Sequence, residues 1–326
     1  MGALINENQV VVNSITVLLP VYNSYQLVAK CLDSILPGLG STDEILLLND
    51  GSVDLTPEEF IKFEAIDSRI KVLNLPHRGL VSTLNTGLAV ARNELVARAD
   101  VDDSYHPNRF RVQAQFLDNN PQVSAVFSDY RILGNGYVDL GTIESPLTPF
   151  LTWLSLINSQ RTAHPSVMYR KHQVQEAGGY LEEDFPVEDL ALWMRLARAT
   201  QLSSVPQTLL SYSIQSGGIS ANNQNMMRLK RRNLQFDFVK NSNGSLAKDF
   251  KTDFGDLKKF PGFSRRRLLS LWDYLKFLYV RDGKKFLVSQ DFWVILPQVI
   301  VHFPVFQTLK VLAEIRRRKK FRSNLK

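Results

Sequence analysis

The chain has 326 residues and a mass of 37.1 kDa, enough for one large domain or a domain with an appended segment. Hydrophobic residues make up 44% and charged residues 22%, which excludes a disordered chain. The single cysteine, Cys31, excludes a disulfide scaffold and a cysteine-based zinc cluster. The net charge of +7 is the sum of −9 over residues 1–225 (15 Lys+Arg, 24 Asp+Glu) and +16 over residues 226–326 (24 Lys+Arg, 8 Asp+Glu). That asymmetry predicts an acidic working domain with a basic, surface-seeking tail. Residues 1–9 have no basic start and no apolar run, which argues against a cleaved secretory signal.

Residues 15–19 read as a short apolar, β-branched strand ended by Pro20. Leu27, Val28, Cys31, Leu32 and Ile35 recur at helical spacing, and Pro37 and Gly38 stop that helix. Residues 44–48 form a second buried strand, and Thr56-Pro57-Glu58-Glu59 then offers an N-cap, a first-turn proline and a capping-box Glu. Residues 70–73 are a third strand, and Leu80, Leu84, Leu88 and Val90 favour a helix after Gly79. Residues 95–99 are a fourth strand, Pro107 begins another helix, and residues 123–127 are a fifth strand. Strands alternating with helices predict an α/β fold, a mostly parallel sheet flanked by helices on both faces. Ligands bind such sheets beyond the carboxyl ends of the strands. Asn23, Asp50, Asp100, Asp102 and Asp103 all lie there. Beyond residue 140 the alternation weakens. Glu188–Ala199 is an amphipathic helix with Leu192, Trp193, Leu196 and Ala197 available for burial, residues 222–240 form another helix, and residues 241–245 read as a linker.

Four groups of residues can carry chemistry. Asp100, Asp102 and Asp103 crowd three carboxylates into four positions. Either a cation such as Mg²⁺ or Mn²⁺ neutralises them against a diphosphate, or they form a solvated acidic turn. Asn49-Asp50-Gly51-Ser52-Val53-Asp54 is a turn with capping chemistry in which Asp50 can also accept from a base or ribose. Glu188 and Asp189 begin a helix, where carboxylates are favoured as caps. A carboxylate there can equally take a proton from a hydroxyl, and two adjacent acids raise one pKa. His164, before Pro165, is either a loop residue with a satisfied ring or a substrate contact.

Taken in order, Pro20-Val21-Tyr22-Asn23, the Asn49–Thr56 segment, Arg78-Gly79-Leu80, Leu84-Asn85-Thr86-Gly87-Leu88, Ala97-Arg98-Ala99-Asp100-Val101-Asp102-Asp103, His164-Pro165-Ser166-Val167-Met168 and Glu188-Asp189-Leu190-Ala191-Leu192-Trp193 closely resemble family 2 glycosyltransferases of the GT-A fold. The resemblance covers roughly residues 14–215. It implies inverting, non-processive transfer of a sugar from a nucleotide-diphospho-sugar, most commonly a UDP-sugar, to an acceptor hydroxyl. By position, Pro20, Tyr22 and Asn23 would border the nucleotide, Asp50 would bind uracil or ribose, and Arg78 would contact the base. Asn85 joins these donor-binding residues. Asp100 and Asp102 would hold Mg²⁺ or Mn²⁺ against the diphosphate, with Asp100 also counted toward the donor. Asp189 would be the general base, supported by Glu188, and His164 would lie near the donor sugar or acceptor. Three departures stand out: Asn49 where many relatives have Asp, His77 where many have Asn, and Tyr212-Ser213-Ile214-Gln215 where many carry Tyr-Arg followed by His. The later Ser216-Gly217-Gly218-Ile219-Ser220 still resembles the family's loop, and the Gln-x-x-Arg-Trp motif of processive synthases is missing.

These readings divide the chain into a catalytic GT-A domain, residues 1–220, and a basic, aromatic helical extension, residues 221–326. The most apolar run of the tail, residues 292–306, is too short to span a bilayer and contains Pro297 and Pro304. It suits the plane of an anionic membrane surface better than nucleic acid, with Arg316-Arg317-Arg318-Lys319-Lys320 facing headgroups. The opposing reading is an apolar hairpin packed on the main domain. The expected acceptor is a glycan or a lipid-linked oligosaccharide, and the expected location is cytoplasmic, peripheral at the inner face of the membrane. The competing function is a non-catalytic nucleotide-sugar binder or a partner subunit of another transferase. A sugar-nucleotide pyrophosphorylase would need a glycine-rich loop after the first strand, which Pro20-Val21-Tyr22-Asn23 does not provide.

Overall fold

The computed structural model describes residues 13–158, 160–214 and 222–240. These fall into two compact units, 13–156 with 160–234 and 157–158 with 235–240. The sheet and both acidic groups lie in the first.

Strands β1 (Ile15–Val21), β2 (Glu44–Asp50), β3 (Ile70–Leu75) and β4 (Leu95–Arg98) pair in parallel in the order β3-β2-β1-β4. Helices α1 (Tyr25–Ile35), α2 (Pro57–Ile61) and α3 (Leu80–Val90) make the crossovers. Parallel strands covered on both faces read as continuous apolar runs, and β1 shows why. Ile15, Val17 and Leu19 join the core formed with Val28, Leu32 and Phe110. Leu18 turns to the other face, where a Cβ on Gly87 of α3 would stand 3.0 Å from it. Strand β1 runs through Pro20 rather than ending there. Ala99 N–H donates to Leu18 O on the β4 side, so the N–H that Pro20 lacks would point past the end of β4, where no ladder partner is needed.

The second half of the sheet is mixed. Strand β8 (Met168–Arg170) lies antiparallel between β4 and β6 (Val123–Leu133), β9 (Gln201–Ser213) runs parallel to β6, and β5 (Ser104–Tyr105) and β7 (Asp139–Ile143) add antiparallel edges. Pro206 sits where the β6–β9 register shifts between Val205 and Thr208, so it interrupts no ladder bond. Helix α4 (Arg109–Asn119) begins just after Pro107, and α5 (Pro149–Asn158), α6 (Lys171–Glu176), α7 (Glu188–Ala199) and α8 (Gln224–Lys240) follow. The capping box of α2 forms: Glu59 N–H donates to Thr56 Oγ1 and Thr56 N–H to Glu59 Oε2. Helix α7 buries Leu190, Leu192, Trp193 and Leu196, with Trp193 edge-on to Phe127 at 5.3 Å. Among the described residues no helix is long and apolar enough to cross a membrane. Residues 241–326 and the Ser216–Ser220 loop lie outside the described residues.

Candidate active site

The loops after β1, β2 and β4 emerge at one end of the sheet, because those strands are parallel. Asp100, Asp102 and Asp103 follow β4, and one oxygen from each lies within 4.8 Å of the others. Their backbone is fixed from below. Asp100 N–H donates to Tyr105 Oη at 2.6 Å, and Tyr105 Oη donates to Asp100 O at 3.1 Å. Ser213 N–H donates to Asp103 Oδ1 at 2.8 Å, while Asp103 Oδ2 is buried without a partner among the described residues. Burial, then the Asp100 charge, lifts Asp102 to about 6. Burial, then Asp100 and Asp102, lifts Asp103 well above the usual carboxylate value. Carboxylates that resist ionising together, with one orphaned buried oxygen, suit a hard divalent cation with oxygen ligands. The residues present therefore fit Mg²⁺ or Mn²⁺.

Glu188 and Asp189 open α7. The helix dipole favours a carboxylate charge there, but burial outweighs it. Burial, then the Asp189 charge, raises Glu188 to about 7. Burial raises Asp189 as well, against the pull of the Leu190 N–H and the Arg231 and Arg98 charges. Leu190 N–H donates to Asp189 Oδ1 at 2.6 Å, and Gln160 Nε2 donates to Asp189 Oδ2 at 3.2 Å. Glu188 Oε2 is buried with no partner among the described residues. The Asp100 charge adds to the rise at Glu188, so the two acidic groups share one electrostatic neighbourhood.

Arg98 joins them. Its buried guanidinium pairs with Asp100. Burial opposes its charge, yet Asp100 and Tyr105 hold its pKa above the ordinary arginine value. His164 Nε2 lies 3.0 Å from Tyr180 Oη, and its ring packs edge-on against Trp193. Burial, then the Arg98 charge, keeps His164 well below its usual pKa, so the ring is neutral and can only exchange hydrogen bonds.

On the opposite side, the β1 and β2 loops are tied together. Asn23, at φ 48°, accepts from Val53 N–H at 2.9 Å through Oδ1, and its own N–H donates to Ser52 Oγ at 3.1 Å. Tyr22 is exposed and stacks on His77 with centroids 4.1 Å apart. Asp50 is buried, and its oxygens accept from Arg78 N–H at 2.9 Å and Gly79 N–H at 3.1 Å, with His77 Nδ1 at 2.9 Å. A carboxylate has about four acceptor positions, so Asp50 anchors the loop and keeps roughly one for a ligand. Asn85 is turned to the protein: Nδ2 donates to Tyr180 O at 2.8 Å and Oδ1 accepts from Tyr180 N–H at 3.0 Å. Its first role is to latch α3 to the Tyr180 loop. Arg78 is exposed, and Pro20 is half-buried between the buried Leu19 and Val21 of β1. The departures at Asn49 and His77 have local work. Asn49 Nδ2 donates to Asn74 Oδ1 and Asn49 Oδ1 accepts from Ser52 N–H.

Sequence reasoning assigned no role to Arg98, Tyr105, Gln160 or Tyr180. Arg98 had a signal, a charged residue in the otherwise apolar run Leu95-Val96-Ala97. The other three had none.

Residues 16–174 match the family model described as Glycosyl transferase family 2. An uncharacterized glycosyltransferase of Haemophilus influenzae is 24% identical over 68% of this chain and 73% of its own. The UDP-Gal:alpha-D-GlcNAc-diphosphoundecaprenol beta-1,3-galactosyltransferase of Escherichia coli is 29% identical over 60% of this chain and 72% of its own. Among solved structures, S. aureus TarS 1–349 in complex with UDP-GlcNAc superposes with a TM-score of 0.56 at 19% identity, covering 82% of this chain and 81% of that 1–349 chain. The mannosyltransferase PcManGT of Pyrobaculum calidifontis, in complex with GDP-Man and Mn²⁺, gives 0.55 at 15% identity, covering 93% of this chain and 84% of its own. These likenesses show the GT-A fold, and within it residues 16–174 carry a glycosyl transferase family 2 domain.

Proposed function

We propose that the chain is an inverting transferase that moves one sugar from a nucleotide-diphospho-sugar, a UDP-sugar in the first instance, to an acceptor hydroxyl. The observation that carries this reading is the pairing of two acidic groups around Arg98: a trio fit for a cation after β4, and a buried pair with raised pKa at the start of α7. Asp189 takes the proton of the acceptor hydroxyl as that oxygen bonds to the anomeric carbon. The bond from that carbon to the diphosphate oxygen breaks, and its electron pair leaves with the nucleotide. Attack opposite the leaving group inverts the anomeric centre, and the transition state has oxocarbenium character. Glu188, about half protonated near neutrality, supports Asp189 or, when protonated, donates a hydrogen bond to a sugar oxygen. Asp100 and Asp102 would hold Mg²⁺ or Mn²⁺, which when bound offsets charge on the departing diphosphate. Tyr22 and Arg78, with the remaining acceptor position of Asp50, border the base and ribose. His164 serves as a neutral hydrogen-bonding group near the sugar. Asn85 acts on the donor side by holding the Tyr180 loop.

A UDP donor is supported by TarS bound to UDP-GlcNAc and by the relative named for UDP-Gal. That relative's diphosphoundecaprenol acceptor supports a lipid-linked acceptor here. With it go a peripheral position at the inner membrane face, a catalytic domain over residues 1–220 and a membrane-seeking extension over residues 221–326. The non-catalytic alternative rests on the departures at Asn49 and Ser213. Asn49 is held within its turn, and the backbone of Ser213 supports Asp103. Neither departure strips the acids. Donor hydrolysis tests the reading: Asp189→Asn should lower the rate about 10²- to 10³-fold while donor affinity stays near wild type. Normal hydrolysis by that variant rules out Asp189 as the base.

A further inference from the structure

Gln160 lies just beyond α5 with φ 43°, the left-handed region that a side chain other than glycine or asparagine rarely adopts. Turns at helix ends usually place Gly or Asn there. Gln gains nothing from that backbone, so the explanation lies in its side chain. The turn is pinned by Gln160 N–H donating to Ser155 O at 2.7 Å. From it, Nε2 donates to Asp189 Oδ2 at 3.2 Å, while Oε1 is buried and has no partner among the described residues. A buried carbonyl oxygen left unpaired is costly, and it belongs to the same amide whose nitrogen holds the Asp189 carboxylate. Turning the amide over would set Oε1 against Asp189 and orphan the NH₂ group instead, so the arrangement with Nε2 on the carboxylate is the better one.

We propose that Gln160 presents the acceptor to the base: Nε2 aligns Asp189 Oδ2, and Oε1 accepts a hydrogen bond from the acceptor itself. The acceptor O–H to be attacked gives its proton to Asp189. When the attacking group is water, Oε1 takes the second O–H. When it is a sugar, Oε1 takes a hydroxyl next to the attacked one. The substrate class is thus a polyhydroxylated acceptor with vicinal hydroxyls. This inference rests on Asp189 being the general base. Glu188, Tyr180, Arg98 and Arg231 also act on Asp189 and are left in place by the test.

The test uses the full chain with two variants. Gln160→Met keeps side-chain length without polar atoms. Gln160→Gly removes the side chain and relieves the left-handed backbone, so it guards against a folding failure of the first. Two quantities are read: the ionisation of Asp189 by carboxyl ¹³C NMR, and hydrolysis of UDP-GlcNAc, UDP-Gal and GDP-Man with Mn²⁺. Both variants should weaken Asp189 ionisation about threefold to tenfold, because a donor to the charged form is lost. Both should lower kcat for hydrolysis about tenfold with donor KM unchanged. A wild-type titration in folded variants overturns the contact with Asp189. A shifted titration with wild-type kcat overturns the acceptor role. The two readings fail separately: if Asp189→Asn hydrolyses normally, the base assignment is what falls, while the NMR titration still judges the Gln160 contact.

Discussion

At Glu188 two effects of opposite sign meet. The start of a helix stabilises a carboxylate by about 0.3–1 kcal/mol, whereas burial and the Asp189 charge lift its pKa from 4.5 to about 7. Burial wins, and a pH dependence of stability follows. Below 4.5 both the folded and unfolded chains hold the proton. Between 4.5 and about 7 the unfolded chain gives it up while the native one retains it, so stability falls as pH rises, and the loss levels off above that window. Glu188→Gln removes this contribution. Thermal unfolding of the variant should decline less between pH 5 and pH 7.5 than wild type, with a gap of about 5 °C at the upper end. Parallel curves would show that Glu188 ionises freely in the fold. At this scale the acids were legible in the sequence because they stand in tight runs beside strand and helix ends. Gln160 was not, since a lone glutamine in a loop carries no signal until the fold sets it against Asp189.

At the scale of elements, the parallel half of the sheet was legible because β1, β2 and β4 are buried on both faces and carry the continuous apolar runs Val17-Leu18-Leu19, Ile45-Leu46-Leu47-Leu48 and Leu95-Val96-Ala97. The mixed half was legible only at β6, whose residues 123–127 read as a strand. Strands β5 and β8 have two and three residues, too few for a period, and β9 is broken in register at Pro206. The loop after β2 shows how an element positions the site. Gly51 has φ 67°, and a Cβ there would stand 2.6 Å from His77 N, in the segment that Asp50 anchors and Tyr22 stacks upon. Gly51→Ala combines left-handed strain with a backbone clash. It should cost about 2–3 kcal/mol in urea unfolding and weaken UDP binding. Unaltered stability and affinity would mean that this loop rearranges freely and does not frame the base site.

For the whole molecule, charge is the organising quantity. Residues 16–174, which match the family model, lie within the part of the chain that carries −9, and the +16 belongs to residues 226–326. The extension was legible only as composition, and its residues 241–326 lie outside the described structure. Attraction of roughly 1 kcal/mol per basic residue near an anionic surface is enough for reversible membrane binding. Deleting residues 290–326 should release the protein from phosphatidylserine-containing vesicles, as read by co-sedimentation. Retained binding would favour the packed-hairpin reading of that segment. The central claim is a cation-assisted nucleotide-sugar site formed by the acids after β4 and at the start of α7. Calorimetric titration of UDP-GlcNAc, UDP-Gal and GDP-Man, with and without Mn²⁺, into wild type and Asp102→Ala tests it most directly. One donor should bind with Mn²⁺, at least tenfold more weakly without it, and Asp102→Ala should erase that difference. No binding by any of the three donors to the folded protein, or binding indifferent to both Mn²⁺ and Asp102, would contradict it.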